Sequence, residues 1–133
     1  MIKMAPKSSK AVPTAQDRIL YAESDANVMS SQSKTFAKAG YIVERAIGRA
    51  ATEQALRSGH YDVVVLGHTL TKDDRHHLPY MAKKSNSHIA VVVLHASGKH
   101  PAVDVAIDSR QGDEAVLDAL RAGLQQKALV MAS

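Results

Sequence analysis

Several residues able to do acid–base or metal chemistry stand at the ends of apolar runs. Glu23, Ser24 and Asp25 follow the run Arg18–Ala22. Gly67 and His68 follow Tyr61–Leu66, His95 follows Ile89–Leu94, and Asp108 follows Val103–Ile107. Imidazole combined with carboxylate suits Zn²⁺ or a similar ion. Glu23, Asp25, His68, His95 and Asp108 are therefore candidate ligands for a metal or small molecule. Their spacing matches no known metal motif. The alternative is that these groups satisfy one another, with His95 bonding Glu23 or Asp108.

Other polar clusters point to structure. His76 and His77 precede Pro79 and read as exposed residues at a helix start. Asp73 and Asp74 suit the electropositive N-terminus of that helix. Ser97-Gly98-Lys99 resembles a fragment of a phosphate loop, but no glycine-rich frame surrounds it. It reads instead as a turn between strands. No nucleophile–base pair or Ser–His–Asp arrangement follows from the spacing, so the expectation is a protein without enzymatic activity or cofactor.

These positions need elements to bring them together. Arg18–Ala22, Tyr41–Ala46, Tyr61–Leu66, Ile89–Leu94 and Val103–Ile107 read as strands. The third and fourth are continuous β-branched runs of the kind buried on both faces. Between them lie helical patterns. Asn27–Ala39 carries Val28, Met29, Phe36 and Ala39, with Gly40 as its stop. Ala50–Ser58 turns Ala51, Ala55 and Leu56 inward and ends at Gly59. A short helix is predicted from about His77 to Ser85 or Asn86, because Pro79 lacks the N–H of an interior helical position and suits a first turn. Asp113 to about Gln126 places Val116, Leu117, Leu120 and Leu124 on one face.

Alternating strands and helices imply right-handed crossovers and a parallel sheet. The predicted fold is α/β: a three-layer, doubly wound, flavodoxin-like domain with five parallel strands in the order 2-1-3-4-5. Ligands of such sheets bind beyond the carboxyl ends of the strands, where the candidates above would gather. Between Leu94 and Val103 the chain runs only from His95 to Ala102, too short for an ordinary helical crossover. The fourth helix of the plan is therefore expected to be absent or reduced. That would uncover Val91, Val93, Val103 and Val105, unless the apolar stretch Ala128-Leu129-Val130-Met131 folds back over them. An exposed apolar patch marks a partner site, so self-association is expected.

The chain of 133 residues suits one domain. Residues 1–16 read as a flexible basic N-terminal tail, 17–127 as the domain and 128–133 as a C-terminal tail. The net charge is +4, and Lys3, Lys7 and Lys10 lie in the tail, which holds no acid. The body is thus near neutral, which argues against nucleic-acid binding. There is no cysteine, hence no disulfide or thiolate metal site. No apolar run suits a membrane span or a signal peptide, so no membrane partner and a cytoplasmic location are expected.

The order of these segments resembles the CheY-like receiver domain of two-component response regulators over about residues 17–126. Arg-Ile-Leu-Tyr-Ala-Glu-Ser-Asp resembles the opening strand that ends in acidic residues. Ala-Gly-Tyr-Ile-Val resembles the first helix-to-strand joint. Ala-Leu-Arg-Ser-Gly-His-Tyr-Asp-Val-Val-Val-Leu resembles the approach to the phosphoacceptor. Ile-Ala-Val-Val-Val-Leu-His-Ala and Asp-Val-Ala-Ile-Asp-Ser resemble the last two strands.

The resemblance implies a place in phosphorelay signalling, yet the residues it assigns to phosphoryl chemistry are altered. The paired Mg²⁺-binding acids read Glu23 and Ser24, and the phosphoacceptor aspartate is Gly67. The phosphoryl-sensing hydroxyl residue is His95. The lysine and the proline after it are Asp108 and Ser109, and the aromatic switch residue is Val105. Glu23 could still support a weak cation site. Phosphoryl transfer needs a nucleophile and cations against developing charge. Gly67 removes the first, and Asp108 replaces one of the second with an anion. The expectation is a pseudo-receiver that acts without phosphorylation, by binding a signalling protein or a second copy of itself.

Overall fold

The computed structural model describes residues 17–95 and 100–132. The basic tail 1–16 and the Ser97-Gly98-Lys99 turn lie outside the described residues.

Five strands form one all-parallel sheet: β1 Arg18–Glu23, β2 Ile42–Ile47, β3 Val63–Leu66, β4 Ala90–Val93 and β5 Val105–Ala106. Their order is β2-β1-β3-β4-β5, as the sequence predicts. Among the described residues four α-helices cover the sheet: α1 Ala26–Lys38, α2 Gly48–Ser58, α3 Lys72–Ser85 and α4 Asp113–Ala132. Strand side chains alternate between two cores. Leu20, Ala22, Val64, Leu66, Val91 and Val93 pack with Leu56 of α2 and Leu78 and Ala82 of α3. Ile19, Tyr21, Val63, Val65, Ala90 and Val92 pack with Met29 and Phe36 of α1 and Val116 and Leu120 of α4.

Local chemistry sets the helix ends. Asp25 caps α1, its carboxylate accepting from the Asn27 and Val28 N–H groups. Helix α2 turns Thr52 inward and leaves Ala51 exposed, contrary to expectation. Thr52 satisfies its hydroxyl locally by donating to the Gly48 carbonyl at 2.8 Å, so the 52, 55, 56 face closes the core.

Helix α3 begins well before His77. Thr71 is its N-cap, accepting from the Asp74 N–H, and Asp73 and Asp74 occupy the first turn. Pro79 consequently lies inside the helix, buried, at the cost of one intrahelical hydrogen bond. The cap and the two acids facing the helix dipole offset part of the proline penalty.

Helix α4 runs past Gln126 to Ala132, so residues 128–132 continue the helix. Leu129 remains exposed and does not fold back over the sheet. The extension is anchored by Lys127, whose Nζ donates to Asp62 at 3.0 Å. Gly123 lets α4 approach β4 closely, since a Cβ there would sit 3.0 Å from a Val92 methyl.

Among the described residues no helix joins β4 to β5. The valines of this region are nevertheless covered. Val91 and Val93 are buried, and Val103 and Val105 are half-buried. Met81 and Val103 pack against the core cluster that includes Val91 and Val93. A polar staple replaces the missing crossover: the Asp104 carboxylate accepts from the Val91 N–H at 2.8 Å and from Lys83 Nζ at 2.9 Å. Lys83 also donates to the Ile89 carbonyl at 2.6 Å. Residues 103–105 are thus tied to α3 and β4 by one carboxylate.

Among the described residues, no helix is long and apolar enough to cross a membrane.

Candidate functional site

The parallel sheet places Glu23, Gly67, His95 and Asp108 at the carboxyl ends of β1, β3, β4 and β5. Register sets the central pair. Ala22 lies opposite Leu66, so Glu23 comes level with Gly67. The Gly67 N–H donates to the Ala22 carbonyl at 2.8 Å and holds the two backbones together.

Glu23 does not point to solvent. Its side chain is fully buried and lies over Gly67. A Cβ added to residue 67 would overlap the Glu23 Cδ and both carboxylate oxygens. The carboxylate fills the space where any side chain at position 67 would begin.

Three donors hold it there. The Tyr21 hydroxyl donates to Oε2. The Thr69 N–H donates to Oε1 at 3.0 Å, and the Thr69 hydroxyl donates to the same oxygen at 2.5 Å. Thr69 Oγ1 in turn accepts from the Ser24 and Asp25 N–H groups at 2.8 and 3.1 Å. One hydroxyl therefore clasps the β1–α1 loop to the β3–α3 loop. Arg75 pins the second loop from behind, donating to the Leu70 carbonyl at 2.5 Å and the His68 carbonyl at 3.2 Å.

Tyr21 is locked as well. Its ring meets Phe36 edge-on, with centroids 5.2 Å apart. Burial, then the hydrogen bond to Glu23 and that group's charge, push the phenol far above its ordinary value. A raised folded value means a contribution to stability that is complete below the ordinary value of 10.0 and is lost as pH rises above it. Tyr21→Phe is expected to cost about 1.5–3 kcal/mol at neutral pH, the value of one hydrogen bond to a charged acceptor. The variant should also lose less stability than the parent above pH 10.0. Urea denaturation at neutral and alkaline pH checks both.

The remaining candidates do not converge. Asp25 is spent on capping α1. Asp108 caps the short 3₁₀ turn Ser109–Gln111 and forms a forked ion pair with Arg110, whose closest approach is 2.6 Å. The Arg110 side chain and backbone N–H hold the Asp108 carboxyl down at about 2. His68 is exposed, and its Nδ1 meets the Ser109 hydroxyl at 3.2 Å. His95 is half-buried and bonds neither Glu23 nor Asp108. Its Nδ1 has no hydrogen-bond partner among the described residues. No three His, Asp or Glu side chains of the described residues come together as a metal-binding group.

Sequence reasoning missed Tyr21, Thr69 and Arg110. The first had a readable signal: Tyr21 and Glu23 are two apart on one strand and so share a face. Thr69 and Arg110 act through loop geometry, which carries no periodicity.

No family model matches the sequence, and no curated protein matches it. The structure, by contrast, has clear counterparts. A CheY-like response regulator receiver domain protein from Methanospirillum hungatei JF-1 superposes with a TM-score of 0.73 at 17% identity, covering 86% of this chain and 98% of that one. The fold is that of a CheY-like receiver domain. The chemotaxis response regulator CheY4 of Vibrio cholerae aligns at 13% identity and a TM-score of 0.66, over 80% of this chain and 98% of its own. A structure described as adenylate cyclase from Rhodopirellula baltica aligns at 12% identity and a TM-score of 0.76, over 88% and 93%. Within the receiver fold, Gly67 follows the third strand and Glu23 ends the first.

Proposed function

We propose that this chain is a pseudo-receiver, an interaction module of two-component signalling that works without phosphorylation. The observation supporting this reading is the Glu23 carboxylate lying over Gly67, held by Tyr21 and Thr69. Position 67 has no nucleophile, and the space beside it is filled by an anion that would repel an incoming phosphoryl group. Asp108, with its charge paired to Arg110, supplies no cation in compensation. Thr69 fastens the β1–α1 loop to the β3–α3 loop beside this position. The module presents one constant surface to a signalling protein or to a second copy of the chain, and has no catalytic role of its own. The alternative, a receiver relative that senses a metal or small ligand at the rim, has less support because Glu23, Asp25 and Asp108 are already engaged.

The expected result of incubation with acetyl phosphate and Mg²⁺ is an unchanged intact mass. A stoichiometric, acid-stable or acid-labile phosphoryl adduct on the folded chain would overturn the reading. Sedimentation over a range of concentrations tests the second-copy branch. A strict monomer at high concentration leaves another signalling protein as the partner.

A further inference from the structure

The connection between β4 and β5 carries a histidine whose two ring nitrogens are both engaged with backbone. His100 Nδ1 accepts the Ala102 N–H at 3.1 Å. His100 Nε2 meets the His76 carbonyl of α3 at 2.9 Å. An N–H cannot accept and a carbonyl cannot donate, so one tautomer alone satisfies both contacts: Nε2 protonated, Nδ1 bare. The ring also packs against α3 in a triangle of rings, with centroids 4.6 Å from Tyr80 and 4.8 Å from His76. These contacts anchor residues that would otherwise lack a helix to carry them.

We propose that His100 is a protonation-sensitive clasp holding the β4–β5 connection against α3. A solvent proton can add only at Nδ1, whose lone pair is the one that accepts the Ala102 N–H. Protonation therefore turns an attractive contact into two opposed N–H groups. The groups facing the ring offer no compensation. They are the neutral phenol of Tyr80 and the ring of His76, itself a base that would add like charge. No carboxylate of the described residues pairs with His100. On the elements packed beside it, Lys83 pairs with Asp104 and His77 Nε2 lies 3.4 Å from Glu53. Opening the clasp frees the segment around Ala102, which is buried when closed, and loosens Val103, which packs against the core cluster. The neutral form keeps this edge of the sheet sealed, and the protonated form exposes it.

The test is ¹⁵N NMR of the full chain across roughly pH 8 to 5, where imidazole titrates. At the upper end the His100 ring should show the Nε2–H tautomer. As the ring protonates, the Ala102 amide signal should move with it, and its protection from exchange, corrected for intrinsic rate, should fall by about tenfold. His100→Asn keeps an acceptor near the Nδ1 position but cannot titrate, so its Ala102 signal should stay flat. His76→Ala keeps the backbone carbonyl and should retain the response. The proposal fails if the ring shows the Nδ1–H tautomer, or if the Ala102 signal is stationary while His100 titrates. It fails equally if His100→Asn responds like the parent, or if His76→Ala abolishes the response. The measurements on the parent chain decide the matter even where a variant does not fold.

Discussion

Gly67→Ala, the smallest possible substitution, is expected to lower stability by about 3 kcal/mol, or about 10 °C in melting temperature. Backbone strain is not the cause, because Gly67 lies outside the left-handed region. The new methyl would occupy the volume of the Glu23 carboxylate. Glu23 is flexible enough to swing away, but swinging strips it from the Tyr21 hydroxyl and both Thr69 donors. Those donors lie in a buried site, where an unsatisfied polar group costs about 1–3 kcal/mol. A double-mutant cycle separates this account from simple overpacking. Glu23→Ala alone should cost a similar amount, and adding Gly67→Ala to it should cost almost nothing, since the colliding group is gone. Additive losses would show that the two residues do not compete for one space. The same collision meets any larger side chain: Gly67→Asp would likewise have to displace Glu23.

The staple at the sheet edge carries the second large effect. Asp104→Ala should destabilise by about 2–3 kcal/mol. It leaves the fully buried Val91 without an acceptor for its N–H and leaves Lys83 with the Ile89 carbonyl as its remaining partner. Asp104→Asn should cost about 1 kcal/mol, because an amide oxygen still accepts from Val91 while the charge facing Lys83 is lost. Lys83→Met should fall in the same lower range, since the Asp104 bond to Val91 survives it. Urea denaturation of the three variants orders them. An Asn variant as damaged as the Ala variant would place the energy in the ion pair and not in the backbone bond. Either ordering concerns the substitute for a crossover helix, which distinguishes this chain's edge from an ordinary doubly wound sheet.

The fold was legible because its signals are local and repeated. Val63–Leu66 and Ala90–Val93 are unbroken apolar runs rich in valine, which suit interior strands of a parallel sheet. The short span from His95 to Ala102 ruled out an ordinary crossover helix by length alone. Element edges were less legible where two local preferences compete. Pro79 argued for a late start of α3, and Thr71 with Asp73 and Asp74 for an early one. The end of α4 was misread because Lys127 is held by Asp62, a partner distant in sequence.

The candidate site divides along the same line. The sequence by itself determined that position 67 has no nucleophile, that position 108 bears an anion, and that both stand at strand ends on one rim of a five-stranded sheet. These are matters of residue identity and period. Tertiary structure alone decided what Glu23 does, because that depends on strand register and on donors from two loops. Level with a residue that has no side chain, the carboxylate turned inward and became part of the core. The sequence had offered it as a ligand for solvent-borne ions.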